Sequence, residues 1–164
     1  MNLFNITKGI DFYKDKGVRE GLRLRMDKDV DPYVKIECKK FCKWLRCHYC
    51  FPIRISVYIK SSFYVKALDG DFVSATFLGP FDKMLEPYIR ISAGDYYKML
   101  NESSSKNAAL SILHSIAHEI VHYYQWINDL ELSSRIEEWQ ASFYATKIID
   151  KYMRDCLEDN SYNK

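Results

Sequence analysis

The chain has 164 residues, of which 48% are hydrophobic, 15% aromatic and 28% charged, a composition that excludes a disordered chain and fits one globular domain spanning residues 1–164. No run approaches the roughly 20 apolar residues of a membrane helix, and the charged opening MNLFNITKGIDFYKDKG is unlike a secretory signal, so a cytoplasmic protein with no membrane partner is expected. The net charge of +2 conceals 14 Lys/Arg against 7 Asp/Glu in residues 1–60 and 6 against 10 in residues 101–164, but the basic residues are scattered among apolar ones, which reads as solvated surface and predicts no nucleic-acid partner.

Asp31-Pro32 reads as an N-cap followed by proline at the first helical position, and Val34, Cys38, Phe41, Cys42 and Leu45 recur at helical spacing. A helix over about 32–48 is expected. PIRISVYIK (Pro52 to Lys60) alternates as a strand does, and FYVKAL (Phe63 to Leu68) and FVSATF (Phe72 to Phe77) flank the turn signal Asp69-Gly70-Asp71, which predicts a hairpin. PYIRIS (Pro87 to Ser92) reads as a further strand whose leading proline suits a sheet edge. Helical segments near 95–100, 106–128 and 134–157 complete the chain, the last opening on Ser134-Arg135-Ile136-Glu137, which has the form of a capping box. The expected class is α+β: a basic N-terminal helix, a small mixed sheet of about four strands, then a helical C-terminal half.

That half carries IAHEIVHYYQWI, Ile116 to Ile127. Residues i and i+4 of a helix lie one above the other, so His118 and His122 can point two imidazoles into one space, as zinc binding needs. Glu119 is about 100° round from His118, beside a metal rather than on it, where its carboxylate can take a proton from water. Leu110, Leu113, Ala117, Val121 and Tyr124 add an apolar stripe, so the motif belongs to a helix with a core face.

A catalytic zinc usually has three protein ligands and keeps one position open. No histidine follows His122, and position 128 is Asn128, so downstream of the motif, carboxylates remain, with Glu137 and Glu138 on the next helix as candidates. Ala141, Ala145, Ile148 and Tyr152 share a face with Glu138, and the small alanines would let two helix backbones approach closely. Glu137 has a duty of its own in the capping box. Glu138 is therefore the expected ligand, with Glu131 and His114 as fallbacks. His114, one turn before His118, either packs under the site or orients a ligand. Tyr123, Tyr124 and Tyr144 are candidate donors to an oxyanion.

IAHEIVHYYQW followed by EEWQASFYA resembles the H-E-x-x-H plus E-x-x-A-x-x-(F/Y)-A pairing of small gluzincin-type metallopeptidases, including the ImmA/IrrE-like group. The resemblance covers roughly Ile91 to Tyr152. It implies a minimal zincin-like fold in which the sheet packs on the motif helix. His118, His122 and Glu138 would hold zinc, Glu119 would act as general base, and the substrate would be a peptide or protein, added to a sheet edge for which PYIRIS is the candidate. Two readings compete: a zinc hydrolase of a non-peptide amide, and a zincin-fold regulatory protein that binds zinc without turnover. The five cysteines, Cys38, Cys42, Cys47, Cys50 and Cys156, suit reduced thiols better than a disulfide framework. The first four could hold a structural zinc, but helical spacing of Cys38 and Cys42 suits core packing.

Overall fold

In the computed structural model, which describes residues 3–6 and 10–161, a four-stranded sheet is covered on one face by helices. The elements in chain order are α1 (Ile10–Lys14), β1 (Leu22–Met26), α2 (Pro32–His48), β2 (Ile55–Lys60), β3 (Val65–Lys66), β4 (Phe72–Val73), β5 (Ala75–Leu78), β6 (Tyr88–Ser92), α3 (Tyr96–Glu102), α4 (Ser105–Ile127) and α5 (Ser134–Ser161). The class is α+β with a small mixed sheet. No helix among the described residues is long and apolar enough to cross a membrane.

Helix α2 begins where Asp31 Oδ1 accepts the backbone N–H groups of Tyr33 and Val34, at 2.8 and 3.4 Å, with Pro32 in the first turn. Its buried face is Val34, Cys38, Phe41, Cys42 and Leu45. The helix crosses over between β1 and β2, which pair in parallel with Leu22 opposite Ile55 and Met26 opposite Ile59. Strand β1 is not among the sequence expectations: LRLRM is short, and two of its five residues are arginine. Burial on one face only, with Leu22 inside and Arg23 and Arg25 exposed, makes it a strand.

The sheet order is β1-β2-β6-β5, so PYIRIS is not at an edge. Strand β6 lies between β2, in parallel, and β5, antiparallel, and Ile89 and Ile91 are fully buried. Pro87 precedes the strand and contributes only its carbonyl, which accepts the Ser56 N–H at 3.3 Å, so its missing donor costs the ladder nothing. The edge strands are β1 and β5. The single expected strand over 72–77 is divided at Ser74: Phe72 and Val73 pair with β3, whereas Ala75 to Leu78 pair with β6. The turn between β3 and β4 places Gly70 at a φ of 97°, a conformation glycine adopts without steric cost.

Helix α4 is capped by Ser104, whose side chain accepts the Asn107 N–H at 3.2 Å. It is wedged between the sheet and α5 and buried nearly all round, with Ile116, Ala117, Ile120, Val121, Tyr123 and Tyr124 inaccessible to solvent. The start of α5 corrects the capping box by one residue. The Glu137 N–H donates to the carbonyl of Ser133 at 2.9 Å, so Ser133 is the capping position and Glu137 is not the reciprocal partner of Ser134. Ala141 and Ala145 are fully buried against α4, as their size allows.

Candidate metal centre

One turn of α4 separates His118 from His122, and both rings lean towards the start of α5. Their Nε2 atoms lie 3.1 Å apart, and Glu138 reaches between them, with one carboxylate oxygen 3.2 Å from His118 Nε2 and the other 3.3 Å from His122 Nε2. One ligand atom from each of the three residues falls within 4.8 Å of the others, close enough for all three to hold a metal ion. Two imidazole nitrogens and a carboxylate oxygen are the donor set of a three-ligand zinc site.

The chain presets the coordinating nitrogen of His122. Gln125, one turn further on and buried, donates its amide Nε2 to the backbone carbonyl of Glu137 at 3.0 Å and lies 3.0 Å from Gln140 Oε1. A carbonyl can only accept, so the amide oxygen of Gln125 must be the atom that faces His122 Nδ1, at 2.7 Å. The proton of His122 is thereby held on Nδ1 and the lone pair on Nε2, the atom that points at Glu138. Glu137 stands behind the same ring, its carboxylate 3.7 Å from Nδ1. Both glutamates therefore serve the site, Glu138 in front of the histidines and Glu137 behind.

Burial, and the like charge that His122 would carry if protonated, press His118 towards its neutral form, which the carboxylate of Glu138 partly offsets. Glu119 is only 6% exposed and turns the other way, towards β5. Burial, reinforced by the charge of Glu138, pushes its carboxyl up to about 8 against a backbone hydrogen bond from Phe77. A cation bound between the histidines would draw that value down again.

The site opens into a cleft of about 1130 Å³ whose walls are α4, the start of α5 and the edge strand β5. The Ser92 N–H donates to the Ser74 carbonyl at 2.8 Å, and Ser74, Thr76 and Leu78 alternate in spending their backbone groups on β6. By the same alternation the N–H and C=O groups of Ala75 and Phe77 face the open edge and the cleft. His114 and Glu131 line the cleft without joining the three-residue cluster.

No family model, curated protein or solved structure matches this chain. The geometry of its own residues is what speaks for the site.

The tyrosines expected as oxyanion donors are elsewhere. Tyr123 is fully buried, with its hydroxyl donating to the Ile53 carbonyl at 2.9 Å and accepting the Ile53 N–H at 3.2 Å. Tyr124 donates to the Cys50 carbonyl at 2.6 Å, and the ring of Tyr144 packs edge-on against Phe4. None of the three lines the cleft. Tyr124 is about 200° round from His122 on α4, whereas Tyr123 shares the phase of Glu119 and is kept from the cleft by the Ile53 backbone that holds its hydroxyl. Among the cysteines, Cys38 and Cys42 are buried in the core while Cys47 and Cys50 are exposed, and among the described residues the only group gathered for a metal is His118, His122 and Glu138. Sequence reading missed Gln125 and the edge position of β5, whose residues it placed in a hairpin strand. The first had a signal, a polar side chain three residues after His122 on a buried helix.

Proposed function

We propose that this protein is a zinc-dependent metallopeptidase with a minimal zincin-like arrangement, in which Glu119 is the general base. The observation that carries the reading is the pairing of a converged His118, His122 and Glu138 with a separate buried carboxylate, Glu119, in the same cleft. A zinc ion held by those three residues supplies Lewis acidity and brings the pKa of its water to about 7. His118 and His122 bind through Nε2, and Gln125 keeps His122 in the tautomer that can do so. Glu119 Oε takes a proton from water and hands it to the departing amine nitrogen, a role suited to a carboxyl whose affinity for protons burial has raised. The open edge of β5 offers the N–H and C=O of Ala75 and the C=O of Phe77, whose N–H is taken by Glu119, to an extended peptide, which would run alongside as an added strand and set its scissile carbonyl beside the histidines. The donors at β5 take the place given to PYIRIS by the sequence.

The test is metal content and turnover in one preparation. The purified chain should hold about one zinc and cleave denatured casein. Glu119→Gln should keep the zinc and lose cleavage by a factor of about a hundred or more. Zinc retained with no cleavage by the wild type would assign the chain to the zinc-binding, non-catalytic alternative. Wild-type turnover by Glu119→Gln would remove Glu119 from the mechanism.

A further inference from the structure

The face of the sheet turned away from the helices has a character that chain order hides. Side chains alternate across a strand, so the residues opposite the buried Val57, Ile59, Ile89 and Ile91 form one surface. Register puts Arg25, Tyr58 and Arg90 in a single row across β1, β2 and β6, with Arg23, Ser56 and Tyr88 in the row beside it. The six strands together carry five cations, Arg23, Arg25, Lys60, Lys66 and Arg90, and no Asp or Glu. Lys60 is neutralised by Asp27 at 2.8 Å. Among the described residues the other four enter no ion pair. The scattered basic residues of the first 60 positions are thus partly gathered by strand pairing into a patch.

Aromatic rings lie among those cations. Tyr58, on a central strand, is 39% exposed and meets Tyr88 edge to face at 6.2 Å, while the Arg90 guanidinium stands 5.1 Å from the Tyr88 ring centre. The β3–β4 hairpin folds over one side, and a groove of about 570 Å³ runs between it and the sheet, lined by Tyr58, Tyr88, Arg90, Lys66 and the exposed Phe72. Cations alone would suit any polyanion. Rings presented from the middle of a sheet between unpaired cations suit a polyanion that carries flat, unstacked bases. A duplex has its bases already stacked and an acidic peptide has none, so neither would use the tyrosines.

We propose that this sheet face binds single-stranded nucleic acid, the phosphates on Arg23, Arg25, Lys66 and Arg90 and a base on Tyr58. The site is on the opposite side of the sheet from the metal centre and does not depend on the function proposed for that centre.

The experiment is fluorescence anisotropy of labelled twelve-nucleotide oligo-U and oligo-dT with the full chain. Both should bind, with log Kd rising with log salt at a slope of about 3, as for four phosphate contacts on a single strand. Preference for oligo-U would add a contact to the 2′-hydroxyl, and equal binding would leave phosphate and base as the ligands; either supports the site. Tyr58→Ala and Arg90→Glu should each weaken binding by about tenfold or more, whereas Tyr58→Phe, which keeps the ring, should bind as wild type. The proposal is overturned if neither oligonucleotide binds, if a duplex or polyglutamate of equal charge binds as tightly, or if Tyr58→Ala and Arg90→Glu bind like the wild type.

Discussion

The side-chain oxygen of Gln125 meets Nδ1 of His122 at 2.7 Å because the other end of the same amide is pinned to the backbone of α5. One side chain therefore couples the ring that would hold a metal to the helix that delivers Glu138. Gln125→Leu removes both contacts while keeping an apolar volume in the core. Its affinity for zinc should fall about 10- to 100-fold, read by competition with a chromophoric chelator. Equal affinities in mutant and wild type would show that the ring needs no such support.

Glu138 and Glu137 are neighbours in sequence and opposites in role. Glu138→Ala should lose most zinc affinity, because it removes one of three donors. Glu137→Ala should keep the metal and, since the carboxylate neither caps α5 nor enters the cluster, should change stability by no more than about 0.5 kcal/mol. The closer contribution of Glu137 is its backbone carbonyl, 3.0 Å from Gln125 Nε2, which the substitution leaves in place, while the carboxylate that it removes stands 3.7 Å from His122 Nδ1. The idea fails if the metal follows Glu137 instead.

Tyr123 gives a clean separation between packing and chemistry. Tyr123→Phe leaves the N–H and C=O of Ile53 without their partner in a buried setting, which should cost about 1–3 kcal/mol in denaturant unfolding. Any peptidase activity of the folded mutant should match wild type, as the hydroxyl is remote from the cleft. A mutant that is fully stable but inactive would place Tyr123 in the reaction after all.

Thiol labelling checks the core. Burial pushes the Cys42 thiol up to about 12, and Cys38 shifts in the same direction for the same reason. Only the thiolate reacts, so at pH 8 an alkylating reagent should modify the exposed Cys47 and leave Cys38 and Cys42 intact until the protein is unfolded. Rapid native labelling of Cys42, seen by peptide mass spectrometry, would mean that α2 does not pack as described.

Much of this chain was legible before folding. The spacing of His118, Glu119 and His122, the apolar stripe of α4, the Asp31-Pro32 start of α2 and the alanines that follow Glu138 are local patterns. Helix geometry alone converts them into shared faces. The period of the α5 stripe pointed to Glu138, the carboxylate that the structure brings to His118 and His122, although the cap assigned to Ser134 and Glu137 lies one residue earlier. A helix face depends on intervals along the chain, and those survive a slip at the terminus.

What only the tertiary structure decided concerns partners distant in sequence. Strand order is such a fact: nothing within PYIRIS reveals that β5 would pair on its outer side, so the strand that faces the cleft could not be named beforehand. The same holds for Tyr123, whose hydroxyl is claimed by Ile53 some 70 residues away, and for Gln125, whose task depends on where the Glu137 carbonyl comes to rest. It holds most fully for Arg25, Tyr58 and Arg90, which are scattered along the chain and become one row because parallel pairing fixes their register. Intervals along a helix are written in the residues themselves, whereas a row across a sheet exists only once strands have chosen their neighbours.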